Sequence, residues 1–398
     1  MNDVETTLDP SGAATGNYIR LETVGRRTGR PHQVILRFVT YNGRIMVFTQ
    51  KGFQPDWLRN IAHNPSVCVY GEGRIIEGRA TLKEVSNTKD PLLAVFTRKY
   101  GKKVVLNDYW GQRGYVEIEP VSAKQADDYN ELVYGDLEAA FDGVAQDYDR
   151  HIFGNPINVW LRNRSVGLMS TLFRKGDTVL EVGCGTGTET ISIAKMGVRV
   201  IATDISSRML DELRRHAKES SVSDMVVPVH CRPYQLRQRL AELGYGGVDG
   251  AYSTYGAINT EPKLPDFFGT LHDLVRPGGK LILGVWNKYC MYELFGYMLK
   301  GNPSMSVARL RNPVPVGKSR FCVATNAYSV KEVTSMLEGL FRLERIYGVG
   351  IFLPPSNLTK YLPPGPLLPL VKEIDSTLES RFPWNRLGDH FLSVHTRV

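Results

Sequence analysis

Of 398 residues only five are cysteine, Cys68, Cys184, Cys231, Cys290 and Cys322, an odd number, widely separated and without a CxxC pair. No Cys/His spacing suits zinc, so a disulfide framework and a metal site are not expected, and the thiols read as reduced in a cytoplasmic protein. The chain also lacks a run of ~20 apolar residues that would span a membrane. Its first residues, MNDVETTLDPSG, hold no apolar core of a signal peptide. The most apolar stretch, GVGIFLPPSNLTKYLPPGPLLPLV, is broken by prolines and cannot be one helix. Nor is there a strong charge bias: 49 Lys and Arg against 41 Asp and Glu leave +8, with RRTGR and LRRH the densest clusters. Scattered charge of this size suits a solvated surface, and no nucleic-acid partner is expected.

What is present first is length, enough for two domains of roughly 100 to 200 residues. In the second half, VLEVGCGTGTETISIA (Val179 to Ala194) reads as strand, tight glycine turn and helix. Glycines stand where backbone turns sharply and approaches a ligand, here at Gly183, Gly185 and Gly187. VRVIATDIS is then a second strand ending at Asp204, 17 residues beyond Gly187. An acid at that tip is placed to accept hydrogen bonds from ribose hydroxyls. Glu181 precedes the turn, which reads GCGTG rather than the dehydrogenase GxGxxG, and an acid there suits a cationic ligand.

These motifs resemble those of class I S-adenosylmethionine-dependent methyltransferases over roughly Phe141 to Val398. AFDGVAQDYDRHIFGNPINVWLR is similar to the leading helices, YGGVDGAYSTYGAIN to the fourth strand and its loop, and LVRPGGKLILGVW to the fifth strand. The resemblance implies a Rossmann-like domain with a mostly parallel seven-stranded sheet that binds S-adenosylmethionine. It implies cofactor contacts from Tyr148, Glu181, Gly183, Gly185, Gly187, Asp204, Ile205 and Ser253. One departure is that VVPVHCRPYQL offers His230, Cys231, Arg232, Tyr234 and Gln235 where many members carry an adenine-binding Asp. The loop after the fourth strand faces the methyl group in this fold, making Tyr255 and Asn259 the first catalytic candidates. It does not read NPPY, the signature of adenine or glutamine methylation. The aromatic WNKYCMYELFGY (Trp286 to Tyr297) and the proline-rich Leu353 to Leu370 mark insertions (287–327 and 353–385) expected to cover a small apolar or aromatic acceptor or to pack on the other domain. The last strand is DHFLSVHTRV.

The first ~125 residues show short strands instead, NYIRLETVG, HQVILRFVTYN, RIMVFTQ, SVCVYGEG and RIIEGRATLKEV, which argue a small antiparallel barrel or sheet. PDWLRNIAHNP is a short helix begun by Asp56 and ended by Pro65. GRRTGRPH, a following KG and PDWLRNIAHNPSVCVY resemble the deazaflavin-dependent nitroreductase family, with GYVEIEP as its closing strand. That resemblance implies a split β-barrel of flavin-reductase type binding coenzyme F420, with FMN as the alternative. The cationic turn Arg26, Arg27, Thr28 and Arg30 suits a phosphate, while Lys51, Gly52, Trp57 and Asn60 would line the ring. Phe53 stands where the family usually has a second glycine. An interaction module without cofactor, and a homodimer through the barrel, are alternatives left open.

The fold expected is therefore α/β and α+β in two domains: residues 1–122 a barrel, 123–140 a linker and 141–398 the methyltransferase. Its function is expected to be methyl transfer to a small molecule, joined to an F420-binding reductase-like domain. A reductase with a S-adenosylmethionine-sensing second domain, or a methyltransferase whose barrel is only a binding or dimerisation module, are the competing readings.

Overall fold

The computed structural model describes residues 18–398 except 28, 30, 50–52, 72–73, 86–89, 101–104, 106–113, 126–128, 300, 302, 311–313, 319–320 and 363–364. Its contacts divide it into two compact units, Met1–Leu132 with Arg311–Pro315, and Val133–Leu310 with Val316–Val398. The expected linker is crossed by the helix Tyr129–Asp142, whose residues from Val133 onward belong to the second unit.

The first unit holds β1 (Tyr18–Val24), β2 (Pro31–Arg37), β3 (Val39–Tyr41), β4 (Arg44–Phe48), β5 (Ser66–Gly71), β6 (Arg74–Glu84) and β7 (Gly114–Gln125). They form one sheet in the order β2-β1-β5-β6-β7-β4-β3, with every neighbouring pair antiparallel. Period-2 patterning produces its core: Ile19 and Leu21, Ile45 and Val47, Val67 and Val69, and Val116 and Ile118 all point to one side. Trp57, Leu58 and Ile61 of the helix Asp56–His63 close over that side. Asn42 and Gly43, both at positive φ (50° and 71°), make the two-residue turn that pairs Tyr41 with Arg44. HQVILRFVTYN, expected as one strand, breaks at buried Phe38. There the Tyr100 hydroxyl accepts from the Phe38 N–H (3.0 Å) and donates to its carbonyl (2.7 Å). A side chain from the helix Pro91–Tyr100 thus replaces the ladder partner.

The second unit contains β8 (Thr178–Val182), β9 (Arg199–Asp204), β10 (Val226–His230), β11 (Val248–Ser253) and β12 (Val275–Trp286). After a ribbon of β13 (Val314–Lys318) and β14 (Phe321–Thr325) come β15 (Phe341–Val349) and β16 (His390–Arg397). The large sheet is mixed, in the order β10-β9-β8-β11-β12-β16-β15. β10 through β12 pair in parallel, and β16 runs antiparallel to both neighbours. Its strands are apolar on both faces because both are covered: Leu180, Ile201, Ala251 and Leu281 face one core, and Val179, Val200, Tyr252 and Ile282 the other.

Two consequences place the site. The chain winds outward from β8 to β10 and returns to β11 beside β8, which leaves a crevice at the carboxyl ends of β8 and β11. Because β16 is antiparallel, its first residue, His390, pairs with Trp286, the last of β12, and lies at that same edge.

Candidate active site

Gly183, Gly185 and Gly187 all take positive φ (76°, 53° and 90°). They serve different ends. A Cβ on Gly183 would lie 2.3 Å from that of Ala257, and one on Gly187 2.1 Å from Leu213 Cδ1, so these two are dictated by packing. A Cβ on Gly185 would meet nothing nearer than Tyr148 Cε1 at 3.8 Å, so this glycine faces open space walled by an aromatic ring.

Asp204 sets the turn. Its Oδ2 accepts from the Gly185 N–H and its Oδ1 from the Ser206 N–H, both at 2.8 Å. Burial pushes its pKa up, and backbone bonds from Ser206, Gly185 and Ile205 pull it back. The expected ribose acceptor is therefore also the clamp joining the turns after β8 and β9. Ile205 accepts at its carbonyl from His230 Nε2 (2.8 Å).

Tyr148 is brought to the turn by its neighbour Asp149, which accepts from Thr186 Oγ1 (2.5 Å) and pairs with His216 Nε2 (3.1 Å). Beside it stands a buried ionic group that sequence reasoning missed. Arg162, from the helix Pro156–Ser170, meets Glu189 Oε2 at 2.5 Å, while Glu189 Oε1 is buried without a partner among the described residues. The signal for Arg162 was only a cation ending the leading-helix segment. Glu181 accepts from the Thr190 hydroxyl and, at 2.8 Å, from that of Tyr252. Burial raises its pKa to about 8, helped by the nearby Glu189 charge.

One expected cofactor contact, Ser253, and the two catalytic candidates, Asn259 and Tyr255, already make hydrogen bonds within the protein. Ser253 is fully buried and donates to the Val182 carbonyl (2.9 Å), a bond that supports the turn. Asn259 is likewise fully buried: its Nδ2 donates to the carbonyls of Trp286 (3.2 Å) and Asn326 (2.6 Å), and its Oδ1 accepts from the Trp286 N–H (3.0 Å). Tyr255, at φ 50°, donates to the Leu161 carbonyl, and burial raises its pKa further, so it offers no base. Its ring nonetheless organises the edge, packing under the Arg162 guanidinium (5.3 Å) and against the His390 ring (5.5 Å).

In the first unit, Arg26 donates its N–H to Asn60 Oδ1 (3.1 Å) and its Nη1 to Asp56 Oδ1 (2.9 Å). The Arg26 hydrogen bond and charge hold the Asp56 carboxyl below its usual range. Asn60 is buried and donates to Thr23 Oγ1 (3.2 Å), and Trp57 is part of the core. Of the expected cationic turn, Arg26 is thus engaged and Arg27 exposed. Thr28, Arg30, Lys51 and Gly52 lie outside the described residues. Among the described residues no group of three or more His, Cys, Asp or Glu is arranged to hold a metal ion, and no helix is long and apolar enough to cross a membrane.

A crevice at the switch point of a doubly wound sheet, with a glycine turn clamped by an acid at the tip of the next strand, is the geometry of a nucleotide-cofactor site. Residues 179–279 match the model of a methyltransferase domain, and residues 10–105 that of F420H(2)-dependent quinone reductases. The chain thus carries a match to F420H(2)-dependent quinone reductases ahead of a match to a methyltransferase domain. It is 28% identical to an S-adenosyl-L-methionine-dependent Diels-Alderase of Talaromyces variabilis, over 32% of this chain and 43% of that one. It is also 28% identical to the ubiquinone biosynthesis O-methyltransferase of Aeromonas salmonicida, over 34% and 51%. With the demethylmenaquinone methyltransferase of Symbiobacterium thermophilum it shares 25% identity over 46% and 68%. The chain spans about half the length of the first two of these relatives. Among solved structures, the CcbJ methyltransferase from Streptomyces caelestis matches 65% of this chain and 98% of its own at 17% identity and a TM-score of 0.44.

Proposed function

We propose that the second unit transfers the methyl group of S-adenosylmethionine to a hydroxyl of a small aromatic acceptor, a hydroquinone. The first unit, closed as a split barrel, would bind F420 and form that hydroquinone from the quinone. The observation that carries the transferase reading is the clamped turn, with open space beside Gly185 alone and Tyr148 as its wall. The residues suit the cofactor chemically. Glu189 Oε1, buried and unpartnered, would accept from the ammonium of the methionyl end, Asp204 would hold the ribose, and Tyr148 would cover the sulfonium. The bound cofactor supplies an activated methyl group, and the protein's task is to align the acceptor oxygen and exclude water.

The quinone-to-hydroquinone sequence draws on the match of residues 10–105 to quinone reductases and on two relatives named for quinone methylation. Reduction exposes the hydroxyl that an O-methyltransferase needs. A second reading, with the first unit a binding module only, is favoured by one observation: Asp56 already neutralises Arg26.

Titration of the full chain with S-adenosylhomocysteine and with F420 separates these readings. Binding of both is expected. Asp204→Ala should weaken S-adenosylhomocysteine about 30-fold, equivalent to ~2 kcal/mol. Unchanged affinity in that variant would remove Asp204 from the site, and failure of F420 to bind would leave the barrel as a module.

A further inference from the structure

We propose that His390 is the general base of the methyl transfer, accepting the proton of a phenolic hydroxyl at Nε2, with Asp389 as its positioning residue. The inference rests on the transferase reading above and adds to it the acid–base machinery.

The geometry fixes the tautomer. Asp389 is buried and held ionised: its Oδ1 meets Arg309 Nη2 at 2.5 Å, and although burial pushes its pKa up, the Arg309 charge pulls it well below the usual carboxylate range. Arg309 is itself buried, paired also with Glu293 (2.8 and 3.0 Å), and donates to the Asp389 carbonyl (2.9 Å). The carboxylate therefore cannot rotate away from its other neighbour, His390 Nδ1, at 3.1 Å. An ionised carboxylate only accepts, so Nδ1 carries the proton and the neutral ring presents its lone pair at Nε2. Among the described residues Nε2 has no hydrogen-bond partner, and it is not among the fully enclosed polar atoms.

The ring is also in the right place. It lies at the carboxyl edge of the parallel strands, with Tyr255 against it, Arg162 against Tyr255, and Tyr148 and Gly185 beyond. The charged and titratable groups around it are Asp389 and, behind it, Arg309, Glu293 and neutral Cys290. On the other side stand Tyr255, whose hydroxyl is spent on Leu161, and the Arg162–Glu189 pair. None of these competes as a base. When the phenolic oxygen attacks the methyl carbon, an O–C bond forms and the S–CH3 bond breaks, its electron pair passing to sulfur. The phenolic proton moves to Nε2, Asp389 stabilises the imidazolium, and the proton is then lost to water. The products are an aryl methyl ether and S-adenosylhomocysteine.

The test uses the full chain, S-adenosylmethionine labelled in its methyl group, and 2-methylnaphthalene-1,4-diol kept reduced under nitrogen. His390→Ala is expected to lower kcat by at least ~100-fold. Added imidazole should restore part of it, the acidic limb of the wild-type kcat profile should disappear, and S-adenosylhomocysteine affinity should stay within ~2-fold. An unchanged kcat, or a loss that imidazole does not rescue with the pH profile intact, overturns the proposal. So does a wild-type chain that binds S-adenosylhomocysteine yet methylates no diol, which leaves the cofactor reading standing. A wild-type chain that fails to bind S-adenosylhomocysteine overturns both.

Discussion

The turns around Arg26 and Gly185 were both expected to hold a phosphate- or nucleoside-bearing cofactor, and an acid secures each in a different way. Asp204 grips backbone N–H groups of Gly185 and Ser206, so the turn is rigid and the space beside it stays open. Asp56 grips the guanidinium of Arg26, the group that would bind a phosphate, while Asn60 holds that residue's backbone. An acid bound to backbone preorganises a site, whereas one bound to a functional side chain competes with the ligand for it.

The sharpest break of this contrast lies within the glycine turn. Gly187→Ala forces a left-handed alanine into Leu213 and should cost about 3 kcal/mol, read as a fall of roughly 8 °C in the melting of the second unit. Gly185→Ala should cost only ~1 kcal/mol in the same melt yet weaken S-adenosylhomocysteine at least ~10-fold, because its methyl occupies the ligand's space. Equal effects of the two substitutions on binding would remove the distinction between packing and ligand glycines.

A further effect depends on pH. The Glu181 carboxyl titrates at about 8 in the folded chain, against ~4.3 unfolded. Its folded pKa is raised, so its contribution is complete below pH ~4.3 and is lost as pH rises to about 8, at up to ~1.4 kcal/mol per pH unit. Glu181→Gln should therefore raise the melting temperature more at pH ~9 than at pH ~5. A gain independent of pH would mean that Glu181 is not buried as a neutral acid. The smallest expected effect is in the first unit: Asp56→Ala, by freeing Arg26, should tighten F420 binding several-fold, and Arg26→Ala should weaken it, both followed by F420 fluorescence. If Asp56→Ala weakens binding instead, the ion pair builds the site rather than competing for it.

Residues joined by short-range pattern were legible beforehand. The helix over Trp57 and the strand–turn–helix of Gly183 to Gly187 follow from local φ requirements and from periods of 2 and 3.6, which neighbouring residues carry by themselves. The break at Phe38 was not legible, because it is made by Tyr100, 62 residues away. Nor was the use of Tyr255 and Asn259 as scaffold. Their polar atoms are spent on Leu161, Trp286 and Asn326, partners known only once the chain has folded back on itself. His390 was hidden for the same reason. An Asp-His pair opening a last strand says nothing until that strand is found inserted antiparallel, its start at the edge where the parallel strands end.

Left to itself, the amino-acid order determined the two kinds of domain and the turn after β8, since apolar period and glycine conformation are properties of a few adjacent residues. Which polar groups are free to do chemistry was decided by tertiary structure alone. A hydroxyl, amide or imidazole is reactive or spent according to what lies within about 3 Å of it. Here those neighbours come from 60 to 100 residues away, as Leu161 does for Tyr255 and Arg309 for Asp389.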